Sequence, residues 1–210
     1  MQLTNDWYYF INAVNPEDCK KIISMGDESW NESSIDTNSY ITEEERKVGK
    51  KPNYKADCKV RESSVAWSND QWLYDLIWPY MSEANELSGW RFDISSAETI
   101  QITKYEKNGF YGFHKDGSGD HLSAYDMPDN KFMHGNVRKI SMSVFLNDDY
   151  EGGEFQFANC NHGKCDPVSP NHTSAGSMVI FPSFCEHRVK PVKSGTRYSL
   201  VAWFLGPPFK

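Results

Sequence analysis

Long apolar runs are missing from this chain of 210 residues. No stretch approaches the roughly twenty apolar residues that cross a bilayer, so no membrane partner is expected. The opening segment Met1-Gln2-Leu3-Thr4-Asn5-Asp6 has neither a basic region nor an apolar h-region. That excludes a secretory signal there and leads to the expectation of a reducing, cytoplasmic location. Cysteine is sparse, and five residues at irregular spacing do not describe a disulfide framework. Positive charge is short too: 22 Lys and Arg against 29 Asp and Glu leave a net charge of -7. A nucleic-acid backbone is therefore not expected as the main partner, because such binding rests on Lys and Arg. Stretches rich in Pro, Gly or Ser that would mark a linker are absent, as are internal repeats, so residues 1–210 read as one domain.

What the chain does have is 39% hydrophobic and 14% aromatic residues, enough for one sizeable core. Residues 1–96 read as a helical N-terminal region. Asn15-Pro16-Glu17-Asp18 is a helix start, with Asn as cap, Pro in the first turn and acids near the positive end, and Gly26 should stop that helix. Ser68-Asn69-Asp70-Gln71 forms a capping box ahead of a stripe of Trp72, Leu73, Leu76, Ile77, Tyr80, Met81 and Ala84, which Pro79 should bend or end early. Between Asn31 and Asp57 the chain is polar and charged and reads as a mobile excursion.

From Ala97 the pattern changes to short alternating runs separated by Gly, Asp and Asn. Ile140, Met142, Val144 and Leu146 alternate with Ser141, Ser143 and Phe145, and Phe155 and Phe157 alternate with polar neighbours. Such runs predict a mainly β fold with flanking helices: residues 97–210 as a cupin-like jelly roll (a double-stranded β-helix) and the N-terminal helices packed on one sheet. The insert from Gly117 to Val137 reads as a flexible rim, with His121 and His134 as solvated loop residues rather than ligands. His162 and His172 are read the same way. Cys160-Asn161-His162-Gly163-Lys164-Cys165 carries two thiols and an imidazole, but it lacks a fourth ligand and reads as a polar turn between strands.

The chemistry centres on three residues. His114 and Asp116 stand two apart and so share one face of an extended strand, while His187 comes from a distant segment, Phe181 to Val189. Two His and one carboxylate on one face of a metal leave open positions, an arrangement that suits non-haem Fe(II). Ten residues beyond His187, period two places Arg197, Ser199, Val201 and Trp203 on one strand face. A guanidinium and a hydroxyl there can grip a carboxylate, and 2-oxoglutarate is a dicarboxylate that would span from metal to Arg197.

At these residues the chain resembles the 2-oxoglutarate/Fe(II)-dependent oxygenases, within them the prolyl 4-hydroxylase-like group. The resemblance runs from about Glu86 to the C-terminus through Ile100 to Tyr105, His114-Lys115-Asp116, Arg138 to Asn147, Glu151 to Phe157, Ala175 to Pro182, His187 and Arg197. It implies Fe(II) held by His114, Asp116 and His187. Arg197 and Tyr105 would bind 2-oxoglutarate, O2 would be the second co-substrate and ascorbate a candidate reductant. Arg138 and Trp203 match positions that face the substrate peptide. The resemblance implies hydroxylation of a prolyl residue in a protein or peptide, with release of succinate and CO2. A free amino acid or other small molecule is the alternative substrate, and a non-catalytic cupin-like binding protein the alternative role. Family members that halogenate carry a small residue at the position of Asp116, so hydroxylation is expected instead. Collagen-type enzymes usually carry Lys at the position of Arg197, which argues against a collagen-like substrate.

Overall fold

The computed structural model describes residues 6–27, 29–33, 35–36, 54–55, 60–117, 122–161 and 164–210. Helix α1 (Pro16–Gly26) begins as expected: the Asn15 side chain accepts the Asp18 N–H at 2.8 Å, and Glu17 and Asp18 sit in the first turn. Gly26 is its last residue, for a reason the sequence does not announce. A Cβ there would lie 2.2 Å from the Trp30 ring, so it is the indole rather than a left-handed backbone that demands glycine.

Helix α2 (Gln71–Leu87) departs from expectation twice. Its cap is Asp70, in extended backbone and without a side-chain bond, while Ser68 Oγ accepts the Asp70 N–H at 3.1 Å. Gln71 is thus the first helical residue rather than the third, and its amide reaches Asp75 at 2.9 Å instead of closing a capping box. Pro79 does not end the helix, which continues to Leu87. Proline forfeits one backbone bond there, but Leu73 and Ile77 before it and Met81 and Ala84 after it are all buried, and that packing carries the helix through.

The stretch before residue 97 also supplies strands: β1 (Tyr8–Phe10), β2 (Asn31–Glu32), β3 (Ile35–Asp36), β4 (Tyr54–Lys55), β5 (Arg61–Glu62), β6 (Ser64–Ser68) and β7 (Ser96–Ala97). The helical reading of residues 1–96 is to that extent corrected. Periodicity missed these strands because most are two or three residues long, too short to show alternation. The later strands are β8 (Ile100–Tyr105), β9 (Phe110–His114), β10 (Val137–Phe145), β11 (Glu151–Gly152), β12 (Phe155–Asn161), β13 (Lys164–Val168), β14 (Met178–Pro182), β15 (His187–Val189), β16 (Val192–Ser194) and β17 (Arg197–Gly206).

Most of these strands make the two sheets of a jelly roll, while β3 with β4 and β11 with β16 pair separately. The larger runs β1-β14-β10-β17-β8-β6-β2 with β7 beside β17, and the smaller runs β13-β12-β15-β9-β5. Alternation divides the large sheet into two faces. Ile140, Met142, Val144, Met178, Ile180, Leu200, Ala202 and Phe204 join Ile22, Leu73, Ile77, Met81 and Ala84 in the core under the helices. Burying each of the larger side chains among them contributes about 1.5–3 kcal/mol. The opposite face gives Tyr105, Phe145, Val179 and Phe181, which meet Phe155, Phe157 and Val189 of the smaller sheet in a second core. The candidate site residues come from this inner face and from the smaller sheet packed against it.

The described part of the 117–137 insert folds back on itself, with Tyr125 N–H on Asn136 O and Gly135 N–H on Tyr125 O, both at 2.9 Å. His134 lies 3.9 Å from the exposed Asp126 carboxylate and His172 packs against Tyr9, away from the three-residue cluster described below. His121, His162 and most of the polar stretch from Asn31 to Asp57 lie outside the described residues, and with His162 goes the zinc reading of the cysteine cluster. The backbones of Cys160 and Cys165 are partners across the β12–β13 hairpin.

Gly176 joins the N-terminal segment to the core. At φ +79° it donates to Phe145 O at 2.7 Å and accepts from Val14 N at 2.9 Å, and a Cβ would stand 2.2 Å from Val14 O. Gly176→Ala is expected to cost at least the roughly 1–2 kcal/mol of a left-handed non-glycine residue. Urea denaturation followed by tryptophan fluorescence should show the lower midpoint.

Candidate metal centre and active site

His114 ends β9 and His187 begins β15, and the two are antiparallel partners. Asp116 follows β9, its N–H donated to Ser183 O at 3.0 Å. The side chains converge: Nε2 of His114 and Nε2 of His187 each lie 3.7 Å from an Asp116 carboxylate oxygen, and the three ligand atoms are all within 4.8 Å of one another. Each imidazole has its other nitrogen engaged, His114 Nδ1 with Gly112 O at 2.9 Å and His187 Nδ1 with Cys185 O at 3.0 Å. A carbonyl can only accept, so Nδ1 carries the proton and Nε2 keeps its lone pair toward the centre.

Protonation favours a cation in the same place. Burial, helped by His187, pushes the His114 imidazole down to about 3, which leaves it neutral at physiological pH. Burial works to raise the Asp116 carboxyl, yet His187, His114, Arg138 and a hydrogen bond from Ser141 hold it below the usual carboxylate range. Two imidazole nitrogens and one carboxylate on one side of a point are the donor set that a divalent iron takes.

A β-bulge shapes this centre. Between the two β9–β15 pairs, His187 to Val189 spans two steps while His114 back to Tyr111 spans three. The extra residue breaks the alternation and lets Tyr111 lie flat on the His114 ring, centroids 3.5 Å apart. Arg61 covers the other side of Tyr111 at 4.7 Å, and burial lifts the Tyr111 phenol to about 12. Period two could not foresee this contact, because in a regular strand residues three apart face opposite ways.

Arg197 is 1% exposed. Its Nη1 donates to Ser199 Oγ at 3.2 Å, while Nε and Nη2 meet no acceptor among the described residues. Its guanidinium lies 5.4 Å from the Tyr105 ring centroid, Tyr105 being its partner across β8–β17, and 5.5 Å from that of Phe145. Gly153 at φ +63° makes room, since a Cβ there would touch Arg197 Cδ at 3.0 Å. A buried cation with unused donors is costly unless an anion completes it, so the pocket is built for a carboxylate. Arg197, Ser199 and Tyr105 thus come together as the sequence led one to expect, and the residues present fit both an iron and 2-oxoglutarate.

Arg138 reaches the inner face by a second bulge. Arg138 pairs with Leu205 and Ile140 with Phe204, so one extra β10 residue intervenes and Arg138 is on the face opposite to Ile140. Its guanidinium stacks 4.0 Å from the centroid of the Trp203 ring. It also forms a two-point pair with Glu98, Nε to Oε1 and Nη2 to Oε2, both at 2.6 Å. Tyr125 OH of the insert donates to Glu98 Oε1 at 3.0 Å. Glu98 and Tyr125 escaped the sequence reading because they belong to no motif and meet Arg138 only through the fold.

An antiparallel jelly roll with a two-histidine, one-carboxylate face and a buried unpaired arginine is a non-haem iron oxygenase framework. The chain belongs to the 2OG-Fe(II) oxygenase superfamily, whose family model matches residues 100–205. Among curated relatives, PKHD-type hydroxylases of Xylella fastidiosa and Acaryochloris marina are 37% and 36% identical over 106 and 110 residues, or 49% and 51% of this chain. The matched region spans 42% of the length of each. Among solved structures, the viral collagen prolyl hydroxylase of Paramecium Bursaria Chlorella virus-1, in its 2OG complex, superposes with a TM-score of 0.61 at 17% identity, covering 96% of this chain and 97% of that one. The prolyl hydroxylase of Trichoplax adhaerens, in complex with a hypoxia inducible factor peptide fragment, gives 0.64 at 14% identity, covering 96% and 84%. At such identities these structures speak for the fold.

His187→Ala removes one of the three converging ligands. Anaerobic titration with Mn(II) as an iron stand-in should show affinity falling by more than the roughly 10–100-fold that losing a supporting hydrogen bond costs. An unchanged titration would remove His187 from the centre.

Proposed function

We propose that this chain is a Fe(II)- and 2-oxoglutarate-dependent dioxygenase, a single domain, that hydroxylates a prolyl residue of a protein or peptide. The observation that carries the reading is the buried Arg197 guanidinium, with Nε and Nη2 unpartnered among the described residues, on the large sheet's inner face, which packs through Phe145 and Phe155 against the smaller sheet that carries His114 and His187. When bound, iron and 2-oxoglutarate supply the oxidising power, and the co-substrate leaves as succinate and CO2.

The chain's own residues do the rest. His114 and His187, each held through Nδ1 by a backbone carbonyl, present Nε2 toward the centre, and Asp116 offsets cationic charge. Arg197, with Ser199 and Tyr105, fixes a distal carboxylate by charge-assisted donors. The aromatic wall of Phe145, Phe155 and Phe181 keeps water from the reacting atoms. Trp203 and Arg138 line the neighbouring wall, where a substrate residue would lie. The prolyl assignment is supported by likeness to PKHD-type hydroxylases and to prolyl hydroxylase structures, one of them in complex with a peptide fragment. No helix of the described residues is long and apolar enough to cross a membrane, and a cytoplasmic location remains part of the proposal.

Purified protein with Fe(II) in air should convert 2-oxoglutarate to succinate, and prolyl peptides should accelerate the conversion and gain one oxygen atom by mass spectrometry. No acceleration by any prolyl peptide would overturn the substrate assignment. Arg197→Ala is expected to lose about 2–5 kcal/mol of 2-oxoglutarate affinity, by analogy with buried interface pairs. Titration of the Mn(II)-loaded protein reads this directly, and unchanged affinity would exclude Arg197 from the co-substrate site.

A further inference from the structure

Two arginines reach the inner face of the large sheet, one buried and one partly buried, and they are in opposite states. Arg197 has two nitrogens without an acceptor among the described residues, whereas Arg138 has both nitrogens of one fork edge taken by Glu98 at 2.6 Å. We infer that Glu98 selects the substrate class: by occupying the Arg138 fork it makes the substrate wall accept an uncharged, amide-flanked residue within a chain and reject a free carboxylate. The inference deepens the hydroxylase reading above and rests on it.

Glu98 cannot easily swing away. Its N–H donates to Trp203 O at 2.9 Å, its carbonyl accepts the Tyr74 hydroxyl at 3.0 Å, and its Oε1 accepts the Tyr125 hydroxyl at 3.0 Å. The β7–β17 junction and helix α2 therefore fix the Glu98 backbone, and the insert holds its carboxylate through Tyr125. A fork-to-fork pair of this kind is strong and oriented, with side chains only 16% and 9% exposed. A second carboxylate arriving at Arg138 would find the Nε–Nη2 edge taken and the guanidinium charge already offset by Glu98, and it would enter a region whose field already includes Asp116.

The same wall offers what an amide needs. Trp203 Nε1 is buried and has no acceptor among the described residues, a neutral donor suited to a peptide carbonyl. Trp203 shares the β17 face of Arg197 and Ser199, and one side of its ring is covered by Arg138. Trp67, 51% exposed, lies 6.3 Å from the Trp203 ring and supplies an apolar rim along which a chain can lie.

The test uses the full chain with Mn(II), saturating 2-oxoglutarate and no oxygen, read by calorimetry. The probes are N-acetylproline and its methylamide, then N-acetylalanine and its methylamide, each pair differing mainly in charge. Wild type should bind each amide more tightly than its acid, by roughly tenfold or more. Glu98→Gln should shrink that ratio by roughly tenfold, through gained affinity for the acids, since Arg138 then faces a neutral partner. Glu98→Asp keeps the charge and should go on rejecting acids. A purely structural Glu98 would instead weaken all probes together in both variants. That outcome, an unchanged ratio in Glu98→Gln, or a wild-type preference for acids would overturn the inference. Equal binding of the alanine and proline amides, with the ratios as stated, would overturn only the prolyl reading, and no binding of either amide to wild type would overturn both.

Discussion

The register between β9 and β15 is the constraint on which the site depends. His114 and His187 are directly opposed, and a slip by one residue would send His187 to the other face of the sheet. What holds the register is apolar: Phe155 stacks on the His187 ring at 5.4 Å, Phe181 meets its edge at 4.7 Å, and Val189 is buried among them. The proposed metal ligands are thus positioned by hydrophobic packing before any metal is considered. The backbone carbonyls of Gly112 and Cys185 then fix their tautomers.

The pocket divides its electrostatics between two arginines. Arg197, deep and unsatisfied, is a cation awaiting an anion, whereas Arg138, near the metal ligands, is already neutralised by Glu98. Arg197 is buried and the Arg138 side chain is 16% exposed, so a bare charge would be costly at either; Glu98 supplies the counter-charge at Arg138, and the proposed co-substrate carboxylate would supply it at Arg197. The distinction gives the inner face a polarity, with one end hungry for negative charge and the other indifferent to it.

Much of this was legible in the sequence. His114 and Asp116 stand two apart, as do Arg197 and Ser199, and that spacing brought out each pair, although Asp116 lies just beyond β9 and His187 comes from a distant strand. The Asn15 cap was readable because it depends only on residues three apart. What escaped notice depends on breaks in the period or on distant pairing. Tyr111 on His114 needs a bulge, as does the inward turn of Arg138, which regular alternation would have put with Ile140 under the helices. Glu98 meets Arg138 across forty positions of sequence. The passage of α2 through Pro79 reflects burial on both sides, a tertiary effect that local propensity cannot register.

The two faces of β10, β14 and β17 have a further consequence, for how such a chain can change over generations. Residues under the helices answer to packing alone, while their neighbours one position along answer to the pocket alone. Substitutions on the inner face can therefore retune what the site holds with little effect on the outer core, and the outer core can drift among apolar residues with little effect on the site. A framework wired in this alternating way tolerates replacement of most of its letters, as the 14–17% identity between this chain and proteins of the same fold illustrates.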